Sequence, residues 1–133
     1  MTKILVTGGT GFVGSRIVKR WSGAYEILAP RHQEMDITDA AAVKQYCRAH
    51  KPDVIVHTAA ISNTGYCEEH PEESLRVNAT AAIGLAEAAA EIGAKYIFFS
   101  SDQIYNGNRE QGLLYEDIDV APVNHYGRHK LLA

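Results

Sequence analysis

The feature that most constrains this chain is TGGTGFVG, residues 7–14, set directly between an apolar β-rich run and an amphipathic helical pattern. The run KILVTGG (Lys3 to Gly9) stops at glycine. From Phe12 to Trp21 apolar residues then recur at helical spacing as Val13, Ile17 and Trp21, with Val18 alongside. Gly8, Gly11 and Gly14 are spaced G-x-x-G-x-x-G. A phosphate needs the backbone N–H groups of a helix N-terminus with no Cβ atoms holding it off, and glycines supply that. Gly14 would also let the helix pack closely on the sheet. Glycines at such intervals are common by chance; a strand before them and a helix after them is the context that makes them a dinucleotide loop.

The rest of the chain repeats the strand–helix alternation. Tyr25 to Ala29 reads as a second strand closed by Pro30, and MDIT (Met35 to Thr38) as a short third one. Thr38 or Asp39 caps the next helix, whose apolar face carries Val43, Tyr46, Cys47 and His50 before Lys51-Pro52 stops it. DVIVHTAA (Asp53 to Ala60) is a continuous apolar strand of the kind buried on both faces of a parallel sheet. Ile61 to His70 reads as irregular. Pro71 opens a long helix with Glu72 and Glu73 in its first turn, a stripe through Leu75, Ala82, Leu85, Ala89 and Ile92, and Gly93 as its cap. Lys95 to Ser101 is a further buried strand, followed by a turn-rich segment to about Pro122 and a last helix. Short strands and helices in strict alternation predict an α/β fold. The expected form is a Rossmann-type doubly wound parallel sheet in three layers, with the first strand central, the second and third on one side and later strands on the other.

Composition excludes several classes of function. Thirteen Lys+Arg against sixteen Asp+Glu give a net charge of -3, with no basic footprint for nucleic acid. No apolar run reaches the ~18–20 residues that span a bilayer, so no membrane partner and a cytoplasmic location are expected. Cys47 and Cys67 are too few for a disulfide framework and read as reduced, half-buried thiols. His57, inside a strand, reads as a hydrogen-bonded core histidine. His125 and His129 are four apart but lack a third ligand, so no metal is expected and they read as exposed or capping residues.

The end of the second strand bears on cofactor choice. In NAD-type sites a carboxylate there binds the ribose 2′-OH. Here the chain reads Ala29-Pro30-Arg31-His32, and Arg31 is placed to neutralise a 2′-phosphate, which favours NADP(H) over NAD(H). Arg16, in the first helix, reads as a surface charge.

Downstream, Ser100 and Ser101 end a strand in SSDQIY, and Tyr126-Gly127-Arg128-His129-Lys130 gives Y-x-x-x-K. On a helix, i and i+4 share a face, so Tyr126 and Lys130 point the same way. A phenol with an ordinary pKa of about 10 is a poor acid–base group at neutral pH, and a neighbouring ammonium would lower it.

Together these residues resemble the extended short-chain dehydrogenase/reductase family over nearly the whole chain. Within it they are most similar to the dTDP-4-dehydrorhamnose reductase branch of sugar-nucleotide reductases. The resemblance implies a cofactor loop at Gly8, Thr10, Gly11, Phe12, Val13 and Gly14, and an adenine-side segment at Asp36 and Ile37 within MDITD. It implies ribose contacts from Thr58, Ala59 and Ala60 in PDVIVHTAA, with further cofactor contacts from Ser100 and from Asn78 in CEEHPEESLRVNAT. Carried over in the same way, Ser101 would hydrogen-bond the substrate oxygen and Tyr126 would pass the proton to or from it. Lys130 would bind the nicotinamide ribose and tune Tyr126. Asp102 and Gln103 would touch substrate. Dehydratases of this family carry Asp-Glu after the hydroxyl residue; Gln103 cannot do acid–base work, so dehydration is disfavoured.

The implied activity is reduction of a 4-keto nucleotide sugar by hydride from NADP(H). An epimerase using the same Ser-Tyr-Lys set is one alternative. Another is a non-catalytic dinucleotide-binding subunit, as in the regulatory subunit of methionine adenosyltransferase, which resembles this branch. The family's substrate pocket is built largely from a C-terminal half. Residues 1–133 therefore read as its dinucleotide-binding domain, truncated before the last strand and the substrate domain, with an unpaired sheet edge that invites a homodimer.

Overall fold

The structure, a computed structural model, describes residues 1–105, 116 and 119–133. Four parallel strands, β1 (Lys3–Thr7), β2 (Glu26–Leu28), β3 (Val54–His57) and β4 (Lys95–Phe98), lie in the order β2-β1-β3-β4. The helices are α1 (Phe12–Trp21), α2 (Ala40–His50), α3 (Thr64–Glu69), α4 (Pro71–Leu75), α5 (Ala81–Ile92) and α6 (His125–Leu132).

Side-chain alternation along β1 and β3 builds two cores. Leu5 pairs with Ile55 on one face, under Val43 and Cys47 of α2 and Leu85, Ala88 and Ala89 of α5. Ile4, Val6 and Val56 face the other way, against Ile17, Val18 and Trp21 of α1. The three-layer α/β fold is therefore the expected one. β1 is central and the chain leaves it in opposite directions, so a crevice opens beyond the carboxyl ends of β1 and β3. Ligands of open α/β sheets bind at such a point.

Several local expectations are corrected. MDIT is not a strand, so among the described residues β2 alone occupies its side of β1. The Asp36 carboxylate accepts from both the backbone N–H (2.9 Å) and the hydroxyl (2.7 Å) of Thr38, and that turn competes with strand geometry. Of the two expected cap candidates, Asp39 is the one that caps α2, by accepting from Ala42 N–H. Residues 64–69, expected to be irregular, form α3, capped by the Asn63 side chain. The long helix after Pro71 widens into a single π turn at Arg76–Thr80. That turn shifts the helical phase by one residue, so Ser74 is buried and Leu75 is 41% exposed. Val13 also lies off the buried stripe of α1.

Three further corrections concern burial. Among the described residues β4 is an edge strand of the sheet, with Ile97 exposed rather than buried. Both cysteines are free and completely buried, not half-buried. His129 is buried instead of exposed. His57 is the expected core histidine, stacked on Tyr96 and Phe98. Most of the turn-rich segment before Pro122 lies outside the described residues. Among the described residues no helix is long and apolar enough to cross a membrane.

Candidate functional site

The glycine loop leaves β1 at Gly8, whose φ of +69° is left-handed. Its carbonyl accepts from Gly11 N–H at 2.9 Å, which closes a tight turn directly ahead of α1. Gly14 packs on that turn so closely that a Cβ there would lie 2.1 Å from the Gly8 oxygen and 2.9 Å from Thr58 Oγ1. Gly11 is the N-cap of α1 and has no side chain to occupy the helix's first N–H groups. The positive end of α1 therefore faces the crevice without a competing acceptor.

The opposite wall follows β3. Thr7 Oγ1 accepts from the backbone N–H groups of Thr58 (3.2 Å) and Ala59 (3.3 Å). Thr58 Oγ1 in turn donates to the Thr7 carbonyl at 2.7 Å. These bonds fix the chain that leaves β3 against the glycine loop. Two clefts result, of about 350 and about 440 Å³, and both are lined by Gly8, Thr10 and Ala59. They are the two ends of one groove running across the loop.

Arg31, His32, Met35 and Ile37 line the first cleft. Asp36, expected beside them, turns its carboxylate back onto Thr38. Those hydrogen bonds hold its pKa below the ordinary carboxylate value, with His32 (3.7 Å) adding to the effect. Arg16 stays on the surface with its guanidinium 3.7 Å above the Phe12 ring.

The second cleft takes in Phe12, Val13, Gly14, Thr58, Ala60, Ser100, Tyr126 and Lys130. Tyr126 and Lys130 come from one face of α6 and are both buried. The Lys130 ammonium donates to the Phe99 carbonyl at 2.5 Å and lies 4.3 Å from the centre of the Phe98 ring. Burial lowers its pKa. Burial also raises the pKa of the Tyr126 phenol, against a lowering by its hydrogen bond with Ser101. The phenol is thus held protonated, and the expected lowering by Lys130 is not what sets it, because that ammonium is directed at Phe99.

Asn78 and Gln103 sit differently from expectation. Asn78 does not line either cleft; its Oδ1 accepts from Ile61 N–H (2.9 Å) and its Nδ2 donates to the Ile61 carbonyl (3.0 Å). It braces the wall from behind. Gln103 Oε1 accepts from Asn124 Nδ2 at 3.1 Å, while Asp102 stays exposed. The Ser101 hydroxyl accepts from Gln103 N–H at 3.1 Å, which seats it at the start of a 3₁₀ turn.

Five contributors escaped the sequence reading. Thr7 looks like strand filler until β3 pairs beside it. Phe99 and Ser62 line the second cleft by position alone. Asn124 caps α6 by accepting from Gly127 N–H at 2.7 Å, a polar residue ahead of a helix that the sequence does display. Gly127 is required by contact: a Cβ there would meet the Gln103 carbonyl at 2.3 Å.

The residues fit a dinucleotide: a tight glycine turn that a Cβ at Gly14 would push apart, an uncapped helix N-terminus, and clefts on both sides of the loop. Comparison with known proteins agrees. Residues 1–133 match the family described as the RmlD substrate binding domain. The spore coat polysaccharide biosynthesis protein SpsK of Bacillus subtilis is 32% identical over 99% of this chain and 47% of its own. Methionine adenosyltransferase 2 subunit beta of Xenopus tropicalis is 34% identical over 97% of this chain and 40% of its own.

Among solved structures, a dTDP-4-dehydrorhamnose reductase from Clostridium acetobutylicum superposes with a TM-score of 0.95. It is 32% identical and covers 98% of this chain and 47% of that one. The reductase of Bacillus anthracis, in complex with NADP, gives 0.93 at 29% identity over 99% and 48%. The UDP-Glc/GlcNAc 4-epimerase of Campylobacter jejuni gives 0.90 at 27% over 99% and 46%. The chain spans about half the length of the relatives it matches, or less.

Proposed function

The chain belongs to the RmlD substrate binding domain family, and on that premise we propose that it is the dinucleotide-binding part of an NADP(H)-dependent reductase of 4-keto nucleotide sugars. The observation that carries this reading is that Tyr126 and Lys130 line a cleft shared with the glycine loop, with Ser101 hydrogen-bonded to the Tyr126 phenol just outside its lining.

The N–H groups at the start of α1 bind the diphosphate, and Arg31 binds the 2′-phosphate that distinguishes NADP from NAD. Lys130 holds the nicotinamide-side ribose hydroxyls. A nicotinamide cofactor, when bound, supplies the hydride that reduces the carbonyl carbon. Ser101 hydrogen-bonds the substrate carbonyl oxygen, and Tyr126, protonated at neutral pH, delivers its proton to that oxygen as negative charge develops there. Gln103 provides no acid or base, so the site is one for reduction and not for loss of water.

A titration followed by NADPH and NADH fluorescence tests the cofactor reading, with saturable binding that favours NADPH expected. Turnover of a dTDP-4-keto-6-deoxy sugar in the native protein and in Tyr126→Phe tests the chemistry. Full turnover in that variant would overturn the assignment of Tyr126 as proton donor. Interconversion of sugar epimers without net consumption of NADPH would instead mark an epimerase using the same three residues.

The similarity to methionine adenosyltransferase 2 subunit beta favours a second reading, a subunit that keeps the groove to bind a partner enzyme. Under that reading Tyr126→Phe leaves the partner-dependent function unchanged.

A further inference from the structure

Behind the groove lies a buried polar chain that the proposed chemistry does not use. Asn78, fixed to Ile61 at both ends of its amide, also donates through Nδ2 to Ser74 Oγ at 3.2 Å. Ser74 Oγ in turn lies 2.7 Å from His129 Nδ1. Ser74 and Asn78 are completely buried, and His129 nearly so. Ile61 belongs to the wall that follows β3, and His129 lies on α6 one residue before Lys130.

The donor and acceptor count allows the last bond to run from the hydroxyl to the imidazole. Ser74 Oγ already accepts from Asn78, and its hydroxyl carries one proton to donate. Among the described residues the acceptor placed for that proton is His129 Nδ1, and a neutral imidazole with its own proton on Nε2 receives it. We propose that Ser74 and His129 form a neutral hydrogen-bonded latch that ties α6 to the Asn78-braced wall of the groove, making His129 a positioning residue for Tyr126 and Lys130. An imidazolium would have to reverse the bond, donating to the second lone pair of the hydroxyl, and would put a charge in a buried site, which weakens the latch. The charged and titratable groups acting on His129 are His125 and Arg128 on its own helix and Glu68 on α3, while α4 and the π turn contribute the Ser74 hydroxyl and the Asn78 amide. Burial, His125 and Arg128 outweigh Glu68 and keep His129 below its ordinary pKa, so the latch is closed at neutral pH.

The positioning role rests on the reductase reading, whereas the hydrogen-bond assignment does not, and the test separates them. Two-bond ¹H–¹⁵N imidazole spectra of the native protein at pH 7.5 should show His129 protonated on Nε2 alone. A proton on Nδ1 overturns the latch whatever the activity. His129→Leu removes the acceptor, and its kcat should fall about 10- to 100-fold with the NADPH Kd within about threefold, because the glycine loop is untouched. His129→Asn keeps an acceptor near the Nδ1 position and cannot be protonated; it should restore most of kcat and lack the acid-side loss expected of the native protein. Equal kcat in all three overturns the positioning role. Were His129→Leu not to fold, the Asn variant's acid-side profile and the spectra still decide. Tyr126→Phe measured alongside reports on the reductase reading itself: full turnover there sinks that reading and the positioning role with it, and leaves the latch to the spectra.

Discussion

Thr7 and His57, neighbours across the β1–β3 pairing, meet at 2.6 Å between Oγ1 and Nδ1 at the base of the groove. Because Thr7 Oγ1 already accepts from Thr58 and Ala59, its hydroxyl proton goes to His57, which must be neutral to receive it. A histidine that contributes no chemistry thus orients the hydroxyl that holds one wall of the site.

Acid should unlock that arrangement. Burial, helped by the Lys130 charge, pushes the His57 pKa from 6.5 down to about 4. The unfolded chain therefore takes up the proton first as pH falls. The associated stability is complete above about pH 6.5 and is lost progressively down to about pH 4, amounting to about 3 kcal/mol. Denaturant titrations at pH 7.5 and pH 4.5 check this, and His57→Gln should flatten the difference between them.

Two glycines should resist substitution for reasons of contact. In Gly14→Ala the new Cβ must displace the Gly8 carbonyl, and in Gly127→Ala the Gln103 carbonyl. Each should cost about 1–3 kcal/mol of stability by overpacking. Their effects on ligands should then diverge: Gly14→Ala should abolish NADPH binding, while Gly127→Ala should retain it and lose turnover. Paired melting curves and fluorescence titrations distinguish the two.

The contrast between these glycines marks how far the sequence could be read. Gly14 announces itself because the loop, the strand before it and the helix after it are contiguous in the chain. Gly127 faces Gln103, and that approach exists only once β4, the 3₁₀ turn and α6 have assembled. Strand–helix alternation carried the sheet, the two cores and the central place of β1, since period-two and period-3.6 burial are written along each element. What failed was local polar chemistry that competes with those periods. Asp36 bonding to Thr38 unmade a strand, Asn63 capped an unexpected helix, and one π turn exchanged Ser74 for Leu75 on the buried face. Ser74, Asn78 and His129 were hidden for the same reason: polar residues at core positions gain their meaning from partners distant in sequence.

Arg31 offers a direct test of cofactor choice. It lines the cleft next to the glycine loop, on the side away from Tyr126. A charge-assisted bond to a 2′-phosphate is worth about 1.5–3 kcal/mol. Arg31→Ala should therefore weaken NADPH binding about tenfold or more and leave NADH unaffected. Equal weakening of both cofactors would show that Arg31 supports the loop and does not read the phosphate.

Tyr126 should reveal its environment through the alkaline limb of the pH profile. Burial raises its pKa and the Ser101 hydrogen bond lowers it. As the proton donor it must be protonated, so reduction should hold steady through neutral pH and fall only as the phenol ionises on the alkaline side. Removing Ser101 takes away the lowering contribution alone. In Ser101→Ala the alkaline limb should move to higher pH, while kcat falls about 10- to 100-fold because the substrate oxygen loses a hydrogen-bond donor. A limb that stays in place would mean that another group titrates there, and a limb that moves down would mean that Ser101 stabilises the neutral phenol instead.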